Sequence, residues 1–130
     1  MEQRIRPYEE QDFNQIQALN EAEGWTQLVA RSDETRQAWD HSNVAYVIED
    51  AGDIVAYIRG LTDSPVSLYV CELLIAPSHR QLGLGEQLLT HVHSLYPTTR
   101  MELLASASSH TYYERLSFRP FHGFRKTIHE

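Results

Sequence analysis

The chain has little of several features that mark common classes of protein, and each shortage excludes a class. Cys71 is its only cysteine, so an internal disulfide and a multi-cysteine metal site are excluded. Lys126 is its only lysine, and the formal net charge of −7 argues against a surface for nucleic acid or for an anionic membrane. No apolar run is long enough to span a membrane, and the first residues lack the apolar core of a signal peptide. We therefore expect a cytoplasmic protein that binds neither nucleic acid nor membrane.

What is present fits an ordinary globular protein. The chain has 130 residues, and 42% of them are hydrophobic. That length suits one domain with one sizeable core, and no repeat, low-complexity tract or linker divides it. We therefore predict a single domain over residues 1–130. Its negative charge favours an amine or another cationic substrate through weak long-range attraction.

Hydrophobic periodicity predicts an α/β (α+β) fold with the element order β-α-α-β-β-β-α-β-α-β. The first helix carries Phe13, Ile16 and Leu19 as one apolar stripe and ends at Gly24, and Ser32 is the predicted N-cap of the second helix. Turn signals join the next three strands into an antiparallel meander. The predicted strands cover 3–8, 43–50, 53–62, 67–76, 100–105 and 118–128, the last as a strand or hairpin, and the predicted helices cover 9–25, 32–42, 84–97 and 108–118.

A Gly-rich turn with a cation, "HRQLGLGEQLL", lies between a predicted strand and a predicted helix. The free N–H groups at a helix start and the helix dipole together favour an anion there. Gly83 and Gly85 let the backbone approach phosphate oxygens closely, and Arg80 supplies a charged donor. A strand–helix connection in which glycine only relaxes the turn is the alternative. The Rossmann and Walker patterns both fail here.

Two motifs resemble those of the GNAT superfamily of N-acetyltransferases. The segment "RQLGLG", after a strand that ends "LLIAP", is similar to the family's loop for the pyrophosphate of acetyl-CoA, Arg/Gln-x-x-Gly-x-Gly/Ala. The segment "YYERLSF" is similar to the family's Phe-Tyr-Glu-x-Leu-Gly-Phe, and "IRPYEEQDF" to its first strand and helix start. The resemblance covers nearly the whole chain, in the family's order. It implies a mixed, mostly antiparallel central sheet flanked by helices and acetyl-CoA as co-substrate.

The resemblance also implies where the coenzyme binds. In this family the pantetheine arm pairs like an additional strand with the end of the strand before the loop, which requires the neighbouring strand to splay away. The N–H of Leu73 would then polarise the thioester carbonyl. The implied coenzyme-binding residues are Leu73, Leu74, Ile75, Arg80, Gln81, Leu82, Gly83, Leu84, Gly85 and Glu86.

Two catalytic residues follow for direct acetyl transfer to an amine. Tyr113 aligns with the tyrosine that protonates the leaving thiolate in the family, and a phenol with a pKa of about 10 is protonated at pH 7. The alternative is that Tyr113 is a core aromatic beside Tyr112. Glu72 interrupts an apolar strand and is the candidate base for the amine. Its alternatives are exposure to solvent or an ion pair with an arginine such as Arg59.

The remaining features leave the acceptor open. Trp25 and Trp39 lie in the region that forms one wall of the acceptor pocket in the superfamily, and either substrate contact or core packing accounts for them. His91 and His93 do not share a helix face, so no metal site is predicted. Ser117 stands where the family motif has glycine, which implies a different helix cap or mild strain.

The favoured function is N-acetylation of a small molecule, peptide or protein amine by acetyl-CoA. The alternatives are a catalytically degenerate acyl-CoA-binding module that acts as a sensor or interaction domain, and an unrelated α+β binding protein. A second copy of the chain is a candidate partner, through strand exchange or sheet extension at the carboxyl terminus.

Overall fold

The computed structural model describes residues 3–130 and contains five strands and five α-helices within them. Apart from one additional short helix, the order of elements follows the predicted order up to the last helix. The strands are β1 (Gln3–Pro7), β2 (Val44–Asp50), β3 (Asp53–Thr62), β4 (Ser67–Ile75) and β5 (Arg100–Leu103). The helices are α1 (Phe13–Glu23), α2 (Thr26–Ala30), α3 (Ser32–Asp40), α4 (Leu84–Leu95) and α5 (His110–Arg115).

The five strands form one sheet in the order β1-β2-β3-β4-β5. The first four are antiparallel to their neighbours, and β5 lies parallel to β4. The β2–β3 turn places Ala51 at φ 54° and Gly52 at φ 89°, which is the double left-handed conformation that a tight hairpin needs. The prediction of a mixed, mostly antiparallel sheet flanked by helices is confirmed.

Alternate residues of the sheet face two apolar layers. On β3, Ala56 and Ile58 belong to the cluster that contains α4, whereas Tyr57 between them belongs to the cluster that contains α1 and α3. This follows from the two-residue period of a strand. The predicted stripe on α1 points into the second layer, where Phe13 and Ile16 are buried. Each layer therefore covers one face of the sheet.

Two helix predictions differ from the structure in detail. The short helix α2 was not predicted, because its sequence lacks a start signal and is only one turn and a half long. Ser32 is the first residue of α3 rather than its N-cap, a position that Arg31 occupies. None of the helices within residues 3–130 has both the length and the apolar character that a membrane crossing needs.

The predicted final strand or hairpin over residues 118–128 is wrong for this structure. Residues 118–127 have no regular secondary structure, and the side chains of Phe121, Phe124 and Ile128 are 79%, 91% and 87% exposed. Pro120 lacks an N–H for a sheet ladder, and a strand needs a partner and a buried face to be stable. The apolar residues that suggested a strand have neither a partner strand nor a buried face within the described residues.

Candidate active site

The sheet opens along the second half of β4. Its pairing with β5 involves only Ser67–Val70, whereas β4 continues to Ile75 against β3 alone. The N–H of Ala76 donates to the Val55 carbonyl of β3 at 2.8 Å. Because successive residues of a strand alternate in direction, the backbone groups of Leu73 and Ile75 face the open edge.

The open edge matches the splay that the resemblance implies, with one difference in detail. By the same alternation, the backbone groups of Leu74 face β3, and its side chain is buried in the second core cluster. Leu73 and Ile75 are therefore the residues of this strand that can pair with an additional extended chain. An unpaired strand edge of this kind is a template for such pairing.

The Gly-rich loop ends at a helix N-terminus beside this edge. Gly83 is the N-cap of α4 at φ 79°, and Gln81 adopts φ 65°. The first intrahelical bond runs from the N–H of Gln87 to the Gly83 carbonyl. The N–H groups of Leu84, Gly85 and Glu86 therefore have no helical acceptor. Together with the dipole of a helix of 12 residues, they favour an anion at this position.

Arg80 lies at this loop but is engaged by two partners. Its Nε donates to the carbonyl of Ile75 at 3.1 Å, and its guanidinium pairs with the carboxylate of Glu23 at the end of α1. Both side chains are partly exposed, at 45% and 31%. Arg80 thus connects the loop to α1, and its charge is partly neutralised.

A hydrogen-bonded chain holds the turn before the loop. His79 contacts Asp50 through Nε2 at 2.9 Å and Ser78 through Nδ1 at 2.7 Å. Asp50 is the last residue of β2 and is 9% exposed. This contact fixes the loop to the β2–β3 hairpin. It depends on a pairing 29 residues apart in the chain, so the sequence offered no signal for it.

The contact between Tyr112 and Gly85 was also missed from the sequence. The Tyr112 hydroxyl lies directly against Gly85, next to the Leu73 side chain, so a Cβ at residue 85 would collide with it. Tyr112 therefore stands where the open edge of β4 meets the first turn of α4. A glycine on the buried face of a helix signals a close approach, but it does not identify the approaching group.

Tyr113 is oriented by the end of α5. The N–H of Phe118 donates to the Tyr113 carbonyl and that of Ser117 to the Glu114 carbonyl, both at 3.1 Å. This is a Schellman motif, in which the residue after the cap is left-handed, and Ser117 has φ 73°. Of the two outcomes implied by the missing glycine, the structure shows strain. The rings of Tyr113 and Phe118 pack edge to face at 5.5 Å.

The Tyr113 side chain is half-buried against the first core cluster. Burial, with a smaller contribution from Tyr112, raises the pKa of Tyr113 to about 12. Its hydroxyl has no hydrogen-bond partner in the described part of the chain. The ring lines a cavity of about 1140 Å³ between α4, β5, α5 and the carboxyl-terminal segment, which Glu86 also lines.

Glu72 is paired with Arg59, which is one of the alternatives that the sequence left open. The guanidinium donates to both carboxylate oxygens, from Nε and Nη2, each at 2.7 Å. The two side chains are 14% and 16% exposed. A third bond ties Arg59 to the Ser42 hydroxyl at 3.1 Å. Any proton transfer to Glu72 therefore competes with a two-point ion pair.

A separate cleft of about 450 Å³ adjoins Glu72 on the side of α1 and α2. Trp25 is half-buried and lines this cleft, whereas Trp39 is 2% exposed and belongs to the core. Trp39 is thus a core residue, whereas Trp25 is placed where it can contact a ligand in the cleft. The cleft is lined by Gly24, Trp25, Thr26, Gln27, Leu28, Cys71, Glu72 and Arg125.

The residues present fit acetyl-CoA as the family implies it. Unpartnered N–H groups at the start of α4 suit a pyrophosphate, and the open edge at Leu73 and Ile75 suits an extended amide-bearing arm. Within residues 3–130, His, Cys, Asp and Glu side chains form no group of three that could hold a metal ion.

A half-paired fourth strand beside a Gly-rich helix start defines the class of acyltransferase that binds acyl-CoA at a split sheet. The family model described as acetyltransferase (GNAT) domain matches residues 41–120, and the chain belongs to this family. No curated protein sequence matches it significantly.

Solved structures share the fold at low sequence identity. A GNAT family acetyltransferase of Streptococcus pneumoniae has 20% identity and a TM-score of 0.80, covering 99% of this chain and 98% of its own. A GCN5-related N-acetyltransferase of Ralstonia eutropha has 21% identity and a TM-score of 0.76, covering 99% and 100%. Diaminobutyrate acetyltransferase of Paenibacillus lautus, solved with its substrate and coenzyme A, has 22% identity and a TM-score of 0.64, covering 89% and 72%.

Proposed function

We propose that this protein is an N-acetyltransferase that passes the acetyl group of acetyl-CoA directly to a primary amine. The observation that carries the proposal is the junction of two features at one place. The unpaired end of β4 meets the free N–H groups of α4, so an extended anionic coenzyme finds a strand edge and a phosphate site together.

The chain holds the coenzyme with main-chain groups. Residues 83–86 receive the pyrophosphate on their N–H groups, with Arg80 beside them. Leu73 and the N–H of Ile75 pair with the pantetheine arm, since the Ile75 carbonyl already accepts from Arg80. Acetyl-CoA supplies an activated acetyl thioester when bound. The N–H of Leu73 then stabilises the charge that develops on the carbonyl oxygen, as donors aimed at a developing oxyanion do.

Tyr113 supplies the proton that the leaving sulfur needs. The amine nitrogen forms its bond to the acetyl carbon, the carbon–sulfur bond breaks, and the thiolate takes the phenolic proton. The raised pKa of Tyr113, about 12, keeps the phenol neutral throughout the neutral pH range. A general acid of this kind contributes on the order of 10²–10⁴ in rate.

Glu72 takes the proton that the amine loses. The Glu72 carboxylate lines the cleft of about 450 Å³ and directly precedes Leu73 in the chain, which suits this role. Arg59 holds it in one orientation, and one oxygen must exchange its guanidinium partner for the amine or for a water. Partial breaking of the Glu72–Arg59 ion pair must therefore precede proton transfer to Glu72.

The same bond favours a second candidate function. A carboxylate with both oxygens engaged serves a binding module as well as an enzyme, because its ion pair with Arg59 holds β3 to β4. In that case the chain binds acyl-CoA as a sensor or interaction domain. Thiol release from acetyl-CoA with a panel of amines separates the two, since a binding module releases none.

Thermal unfolding with and without acetyl-CoA tests the coenzyme site independently of catalysis. A ligand that binds the folded state at 100 times its Kd stabilises that state by about 2.7 kcal/mol. A rise in Tm with acetyl-CoA, together with amine-dependent thiol release, is the expected result. No rise at saturating acetyl-CoA would remove the coenzyme site from consideration.

A further inference from the structure

The side chains that line the cleft of about 450 Å³ beside Glu72 indicate which kind of acceptor it can bind. Three parts of the chain meet there: the turn from Gly24 to Leu28, the Cys71–Glu72 stretch of β4, and Arg125 in the carboxyl-terminal segment. Such concave sites with a few charged groups are where small molecules bind.

The charges that line this cleft do not cancel. Glu72 is neutralised by Arg59 through two bonds of 2.7 Å. Burial raises the pKa of the Cys71 thiol, which therefore carries no charge at neutral pH. Arg125 is exposed and makes no salt bridge or side-chain hydrogen bond with the rest of residues 3–130. The cleft is therefore locally cationic in a protein whose net charge is −7.

A local cation discriminates among amines. A polyamine is repelled by an unpaired guanidinium, whereas an amine that also bears a carboxylate gains a charge-assisted pair in fork geometry. One wall of the cleft is apolar, since the indole of Trp25 and the side chain of Leu28 line it and are both half-buried. Trp25 also packs against the second core cluster, which holds that wall in place.

We infer that the cleft binds an amino acid with an apolar side chain, its carboxylate on Arg125, its side chain against Trp25 and Leu28, and its amine towards Glu72. This inference rests on the proposed acetyl transfer and names the acceptor class for that same site. In the product, the amino acid carries the acetyl group on its nitrogen, and coenzyme A leaves with the proton.

Matched acceptors test the role of the carboxylate. Leucine, leucinamide and 3-methylbutylamine share one apolar side chain, and only leucine has a carboxylate; other apolar amino acids offer the same comparison. Thiol release is compared per concentration of unprotonated amine. We expect kcat/KM for the amino acid to exceed that of its amide and of its decarboxylated amine at least tenfold.

Variants of two neighbouring cations assign the effect to one residue. Arg125→Ala should remove the preference for the carboxylate, mostly through KM, and Arg125→Lys should keep part of it. Lys126→Ala is the matched control, because it removes the same charge one residue away and does not line the cleft. Equal loss in the Arg125→Ala and Lys126→Ala variants would mean a general field effect and would overturn the inference.

A binding measurement separates this inference from the proposed function. Ligand-detected NMR with coenzyme A present should show that wild-type protein binds the amino acid and that the Arg125→Ala variant does not. That result without any thiol release would refute the enzyme and leave only the binding of an amino acid in the cleft. Turnover of polyamines, amides or simple amines at rates equal to or above those of amino acids would refute the acceptor class alone.

Discussion

The hydroxyl of Tyr112 lies against Gly85, and the two residues close the space between α5 and the first turn of α4. Only the hydroxyl oxygen is in the way of a side chain at residue 85. The next nearest atoms, Cζ of Tyr112 and Cδ2 of Leu73, would lie 3.4 and 3.7 Å from a Cβ there, which is ordinary contact. The glycine of the loop motif therefore has a packing reason in this chain, beside the phosphate-binding role that we propose for it.

Gly85→Ala should consequently destabilise the wild-type protein but be better tolerated when Tyr112 is Phe. Overpacking of this kind costs about 1–3 kcal/mol, and residues in contact show coupling of about 0.5–3 kcal/mol in a double-mutant cycle. Urea unfolding of the four proteins measures the coupling. Additive effects of the two changes would mean that the contact does not form.

Glu23→Gln should tighten acetyl-CoA binding. The change releases Arg80 from its carboxylate partner and removes a negative charge near the proposed phosphate site. A partly exposed ion pair of this kind contributes about 0–1 kcal/mol, and the coenzyme no longer has to compete with it in the variant. We therefore expect up to about a fivefold gain in acetyl-CoA affinity by isothermal titration. Glu21→Gln on the same helix, outside this pair, is the control. Weaker binding in the Glu23→Gln variant would mean that the pair positions Arg80 for the coenzyme.

Ser117→Gly should stabilise the protein. A left-handed residue other than glycine costs roughly 1–2 kcal/mol. The larger conformational freedom of glycine in the unfolded chain offsets part of the stability gained by relieving this strain. We expect a net gain of about 1 kcal/mol at φ 73°, or a rise of a few degrees in Tm. Ser108→Gly, where φ is not positive, should bring no gain. A loss of stability in the Ser117→Gly variant would show that its side chain contributes to the cap.

The sequence predicted the elements whose signals are local. The period of Phe13 and Ile16 marks a buried helix face, and Gly83 after a buried strand marks the start of a helix. Both signals lie within one element and its immediate neighbour, so tertiary context does not alter them. The prediction of a carboxyl-terminal strand was wrong because it depends on tertiary context. Phe121 and Phe124 have strand-like character, but a strand also requires a partner strand.

Parts of the candidate site depend on contacts that no local pattern records. Arg59 and Glu72 are opposite each other on β3 and β4, so their pairing was one of several open alternatives until the register was known. Arg125 lines the cleft beside Glu72 from a segment without secondary structure, whose sequence has no periodic pattern. Adjacent tyrosines on α5 differ in direction by about 100°, so their exact facing could not be assigned from the motif alone.

Glu72→Gln should lower turnover most at low pH if the carboxylate is the base. There the free amine is scarce, and the variant must rely on it alone. The change also weakens the ion pair with Arg59, so the free energy of unfolding of each variant must be measured together with its pH–rate profile. Arg59→Gln is the matched partner change. A lower Tm with an unchanged pH–rate profile would assign Glu72 to structure and the proton to solvent.

Tyr113→Phe should reduce turnover by on the order of 10²–10⁴ while leaving acetyl-CoA affinity nearly unchanged, because the phenolic proton is needed only in the transition state. The ring and its packing on Phe118 are kept, so the fold should survive. A raised pKa favours the protonated phenol, so with a pKa of about 12 the wild-type protein should keep its acid up to about pH 10. Single-turnover thiol release measures the chemical step.

Tyr112→Phe is the comparison that makes this test specific to one hydroxyl. Its oxygen lies against Gly85 rather than in the cavity that Tyr113 lines, so we expect its loss to change coenzyme affinity more than turnover at saturating acetyl-CoA. If Tyr112→Phe instead abolishes turnover and Tyr113→Phe keeps more than about half of it, the two tyrosines exchange roles. The proton donor would then stand at the junction of β4 and α4, and Tyr113 would be a core residue.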